Sequence, residues 1–135
     1  MFTCDNEMEM FADGVSLGKD EQWTSSTEYV IPGNTRVISV LGIDKGAQYG
    51  ILGSFSNGMV TNSSWKCENE EYPEWKSPDF DDSNWPAAEE LANHGEGPWG
   101  KRPGIASTAK WIWTADNADD EVYCRLRLQN NLPTA

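Results

Sequence analysis

The stretch SSWKCENEEYPEWKSPDFDDSNWP, from Ser63 to Pro86, decides how this chain is read. It holds three tryptophans, one cysteine, seven acidic residues and only two lysines. So much indole in an acidic, loop-like stretch admits two readings. Exposed tryptophans beside carboxylates would make a sugar-stacking platform. Buried ones would pin a long loop onto a small β-domain. From Glu68 to Lys110 the chain is punctuated by proline and glycine, and an irregular segment of that length inside a compact domain needs internal anchors to be stable.

Outside that stretch, strand-like runs recur at short intervals, separated by Gly, Pro, Asn and Asp. TCDNEMEMFADG alternates, with Cys4, Asn6, Met8 and Met10 on one face and Asp5, Glu7 and Glu9 on the other. Asp13-Gly14 and Asn57-Gly58 are hairpin-turn signals. STEYVIPG reads as a short strand ending at Pro32-Gly33, and TRVISVLGID, YGILGSFSNG, MVTNSSWKC and KWIWT read as further strands. In EVYCRLRLQ, Val122, Cys124, Leu126 and Leu128 share one face while Arg125 and Arg127 share the other. The best helical candidate, Ala87 to Ala92, is only one or two turns long. Many short strands with turn punctuation predict an all-β fold, an antiparallel β-sandwich of jelly-roll type with long Trp-anchored loops. The whole chain, residues 1–135, is expected to form a single such domain. Met1 runs straight into a strand-like segment, so the chain reads as a domain excised from a larger or tandem-repeat protein.

The bulk chemistry narrows the partners. With 10 basic and 22 acidic residues the formal net charge is −12, which repels nucleic acid and anionic membranes and favours cations or neutral polar partners. No apolar run reaches the roughly 20 residues of a membrane span. The cysteines are Cys4, Cys67 and Cys124, none in a C-x-x-C pair, and His94 is the single histidine, so a Cys/His zinc site is not expected. One disulfide and one thiol is the simplest arithmetic. Asn62-Ser63-Ser64 is a sequon that permits N-glycosylation in a secreted protein.

Several motifs together resemble the galactose-binding-domain-like jelly rolls. CDNEMEMFADGVSLG is similar to that family's aDN…NG…G signature. EYVIPGNTRVISVLGIDKGAQYGILGSF is similar to its strand, Gly-Asn, apolar strand and glycine-rich loop. TNSSWKC…PEWKSPDFDDSNWPAA and AKWIWTADNADDEVYCRLRL resemble its S-W-K…F-D-D-S-x-W and W-I-W…V-Y-x-R segments. In many relatives the W-I-W and Y-x-R strands precede the aDN strand, whereas here they come last, which fits a tandem array or permuted boundaries. Such domains occur as accessory sugar-binding modules of α-L-rhamnosidases and β-galactosidases and in lectin-like extracellular proteins of invertebrates. The resemblance implies a secreted, non-catalytic, carbohydrate-associated module, used in tandem or as a homo-oligomer, whose partner is a glycan or glycoprotein.

Trp65, Trp75, Trp85, Trp111 and Trp113 fall on the family's motif positions, so they are expected to anchor core and loops. In DFDDSNWPAA, Asp81, Asp82 and Ser83 are expected to accept backbone N–H bonds while Trp85 plugs inward. Trp23 and Trp99 lie off any alternating strand and are the stacking candidates. A sugar site needs an aromatic face and convergent polar groups. Arg102 beside Trp99, and Asp44 and Tyr49 in GIDKGAQYG, supply the latter. The run ADNADDE offers Asp116, Asn117, Asp119 and Asp120 to a structural Ca2+, without EF-hand spacing. That run supports the alternative, a calcium-binding structural, adhesive or biomineral-matrix module. In the resembling family positions 67 and 124 change together, which points to a Cys67–Cys124 disulfide with Cys4 left over; Cys4–Cys124 stays open, because the terminal strands could be neighbours. No catalysis is expected: carboxylates are abundant without a defined pair, and His94 lacks a nucleophile motif such as G-x-S-x-G.

Overall fold

The alternation of Glu121–Arg127 is realised in the middle of a sheet, in a computed structural model that describes residues 2–5, 7–20, 29–32, 35–43, 50–55, 59–72, 74–94, 105–114 and 121–128. Among these residues nine strands follow in chain order: β1 (Phe2–Asp5), β2 (Glu7–Ala12), β3 (Val15–Asp20), β4 (Val37–Ile43), β5 (Gly50–Gly53), β6 (Lys66–Glu68), β7 (Glu89–Asn93), β8 (Lys110–Trp113) and β9 (Glu121–Arg127). They form a four-stranded sheet of order β1-β5-β8-β7 and a five-stranded sheet of order β3-β2-β4-β9-β6, every pairing antiparallel. The fold is an all-β sandwich, and no helix occurs among the described residues.

Three local readings are corrected. The alternating run from Thr3 onward is two strands, not one: β1 pairs with β5, while β2 pairs with β3 and β4 in the opposite sheet. Alternation alone cannot reveal such a switch, because it does not specify which strand each half pairs with. The helical candidate at 87–92 is instead strand β7, paired with β8 by tertiary contacts that override a weak local preference. The described part of STEYVIPG, residues 29–32, is irregular.

The β2–β3 turn shows why the sequence folds as it does locally. Asp13 (φ 48°) and Gly14 (φ 88°) both adopt the left-handed conformation that a two-residue hairpin with native twist demands. The Asp13 carboxylate then accepts the Arg36 and Val37 backbone N–H groups at 3.0 and 2.9 Å, tying the turn to the start of β4.

Between the sheets lie Phe2, Met8, Met10, Ile38, Val40, Ile51, Trp65, Ile112, Trp113, Val122 and Cys124, all buried. Trp65 anchors here and donates its indole N–H to the Val60 carbonyl at 3.2 Å. Both outer faces carry smaller clusters. Trp111 packs with Leu52, Ile105 and Ala109. On the five-stranded sheet, Phe11 and Tyr123 are covered by Trp75 and Trp85 from the long loop. Trp75 stands edge-on to Tyr123 at 5.0 Å and to Phe11 at 6.0 Å between centroids. All five motif tryptophans are therefore buried, and the acidic loop of the opening stretch is pinned by indoles.

Cys67 and Cys124 face each other across β6 and β9 with Cα atoms 4.1 Å apart and form the disulfide. The separation lies well inside the roughly 7 Å limit for a bridge. The alternative Cys4–Cys124 pairing is thereby excluded.

Candidate functional site

Inward placement of Cys124 dictates outward placement of Arg125 and Arg127, because strand side chains alternate. These two arginines receive the loop. Arg125, with a fully buried side chain, donates Nη1 to Asp82 Oδ2 at 2.8 Å and to the Phe80 carbonyl at 3.1 Å. Its Nη2 reaches the Ser77 carbonyl at 2.8 Å, and its guanidinium lies 5.0 Å from the Phe80 ring centroid. Arg127 donates to the carbonyls of Pro78 at 3.0 Å and Phe80 at 2.6 Å. Burial pulls the Arg125 pKa below its ordinary value, the Asp82 charge opposes that shift, and the Arg127 charge reinforces it.

The DFDD turn is thus assembled differently from its sequence reading. Asp81 accepts the Ser83 N–H at 3.0 Å as expected, and the Ser83 backbone and hydroxyl bonds hold the Asp81 carboxyl below the usual carboxylate range. Asp82, by contrast, spends its carboxylate on Arg125, with Arg127 Nε 3.9 Å away. Beside this ladder Tyr123 donates its hydroxyl to Glu121 at 3.0 Å. Burial first, then that hydrogen bond and the charges of Glu121 and Glu71, push the phenol up to about 12.

Where the turn meets β6 and β9 an open cleft of about 510 Å³ forms, lined by Met59, Ser64, Lys66, Asp82, Arg125, Leu126 and Arg127. That volume is within the roughly 300–1,000 Å³ typical of small-molecule sites. A second hollow, lined by Glu7, Glu9, Lys19 and neighbours, holds only about 70 Å³. Lys66 pairs across strands with Arg125 and reaches the Asp82 carbonyl at 3.3 Å. The cleft therefore joins cationic donors, one carboxylate and an apolar side made by Met59 and Leu126.

Sequence reasoning did not single out this cleft. The signal was present: once Cys67 is set opposite Cys124, Lys66 must lie opposite Arg125. The expected sugar-contacting residues Trp99, Arg102, Trp23, Asp44 and Tyr49, and the expected calcium ligands Asp116, Asn117, Asp119 and Asp120, lie outside the described residues. Among the described residues no group of three or more His, Cys, Asp and Glu side chains is placed to hold a metal ion.

The fold and cleft define the class first: a small β-sandwich with a ligand-sized hollow of mixed apolar and charged lining. Comparison with known proteins adds a relative. Over 55 residues the chain is 48% identical to an α-L-rhamnosidase of Streptomyces avermitilis. The matched stretch is 40% of this chain and 5% of that enzyme. No family model and no solved structure matches the chain. Together the partial likeness and the sandwich are compatible with an accessory sugar-binding domain.

Proposed function

We propose that this chain is a non-catalytic carbohydrate-binding module of a secreted protein, meeting a glycan or glycoprotein. The observation that carries the reading is the 48% identity over 55 residues to an α-L-rhamnosidase, a share of that enzyme too small to import its catalytic activity. The disulfide supports an oxidising compartment. Among the described residues no helix is long and apolar enough to cross a membrane. In this reading Trp99 and Trp23 offer ring faces to the C–H side of a sugar, and Asp44, Tyr49 and Arg102 bond its hydroxyls.

A glycan array followed by titration of the best neutral glycan tests this. Trp99→Ala or Trp23→Ala is expected to weaken binding at least about ten-fold, the loss of about 1.4 kcal/mol. Unchanged affinity in both variants overturns the residue assignment, and the absence of any glycan hit overturns the reading. Repeating the titration with Ca2+ and with EDTA tests the acidic run at 116–120. Calcium at 100 times its Kd would add about 2.7 kcal/mol to stability, and an unmoved melting temperature counts against a structural calcium.

A further inference from the structure

Three of the chain's ten basic residues line one cleft in a molecule of net charge −12. Among the described residues, Lys66, Arg125 and Arg127 share a single lining carboxylate, Asp82, which lies 2.8 Å from Arg125 and 3.9 Å from Arg127. Asp81 adds a second negative charge near Lys66 and Arg127, but its oxygen is engaged by the Ser83 N–H. Among the described residues, two carboxylates against three cations leave the cluster positive. Like charges gathered at a partly desolvated site repel one another and favour an anion that completes them.

We propose that this cleft is a second saccharide subsite, selective for a sugar that carries a carboxylate. The inference rests on the carbohydrate reading and adds the ligand class. Arg125 is buried and spent on the loop, so its part is to fix Asp82 and to contribute field. Lys66 and Arg127 are the half-exposed cations that meet the ligand. Among the described residues Lys66 Nζ makes one hydrogen bond, to the Asp82 carbonyl, and an ammonium carries three donors. Partly exposed Met59 provides apolar surface for the C–H face of a pyranose, and Ser64, whose hydroxyl donates to Asn62 Oδ1, lines the same cleft. The surrounding negative charge disfavours densely charged polyanions such as nucleic acid. One positive spot in a negative field suits a single carboxylate on an otherwise neutral, hydroxyl-rich ring.

The test is calorimetric titration of the intact chain at low salt with a uronate trisaccharide and with its methyl ester. The acid is expected to bind at least about ten-fold more tightly than the ester. Lys66→Met, which keeps the stem, is expected to close that gap, and Lys66→Arg is expected to restore it. Melting curves of each variant verify the fold, and the acid–ester comparison in the unsubstituted protein stands even if a variant unfolds. Equal affinity for acid and ester overturns the inference, as does a gap that survives Lys66→Met. If neutral glycans bind and the uronate does not, the inference fails alone. If no saccharide binds, the carbohydrate reading fails with it.

Discussion

Asp82 is the residue on which the long loop turns. Its carboxylate neutralises a guanidinium whose side chain is wholly withdrawn from water; Nη1 and Nη2 also donate to loop carbonyls, while Nε is left without a partner among the described residues. Removing one partner of a buried pair strands the other charge, at a cost of about 3–5 kcal/mol. Asp82→Ala should therefore lose stability on that scale in urea melts, whereas Asp81→Ala, an exposed turn residue, should cost far less. Tyr123 supplies a pH signature. Its folded pKa, about 12, lies above the ordinary 10.0, so the fold favours the protonated phenol. The stabilisation is complete below pH 10 and is lost as pH rises from 10 to 12, on the order of 1–2 kcal/mol. Tyr123→Phe should show a shallower fall in melting temperature across that window. An equal fall in both proteins would mean that Tyr123 titrates no differently when folded.

At the scale of elements, the short strand β6 has three residues and is held by β9, by bonds to 86–88 and by the disulfide. The bridge closes 57 residues of chain, including the indole-pinned loop, β7 and β8. Loop-closure entropy for that length corresponds to about 4 kcal/mol. Chemical denaturation with and without reductant should differ by roughly this amount, and a difference near zero would mean that the unfolded state keeps β6 and β9 together. The elements also show what was legible in the sequence. β9 was readable because Val122, Cys124 and Leu126 alternate with Arg125 and Arg127, and the Asp13-Gly14 turn because few residue pairs tolerate two positive φ angles. The buried roles of Trp75 and Trp85 were readable through motif likeness. The sheet switch after Asp5 was not, since alternation does not encode which strand each half pairs with. β7 was hidden because EELAN favours helix locally and only its pairing with Trp111–Trp113 makes it a strand. The Lys66–Asp82–Arg127 cleft needed the register of β6 on β9, which no single segment encodes.

For the whole molecule, charge acts in two directions at once. A net charge of −12 on 135 residues means that folding gathers like charges, and that repulsion weakens the compact state. The Debye length falls from about 30 Å at 0.01 M to about 8 Å at 0.15 M salt, which screens most exposed carboxylates from one another. Melting temperature should therefore rise between these concentrations. The largely buried Arg125–Asp82 contact should be affected little. Uronate affinity in the cleft should move the opposite way, because the same ions screen the attraction between the ligand and Lys66 or Arg127. Differential scanning calorimetry and uronate titration on one salt series would expose both trends. A protein that melts lower as salt rises would show that attractive ion pairs, not net repulsion, dominate its surface. Uronate binding insensitive to salt would mean that hydroxyl contacts rather than the carboxylate hold the sugar.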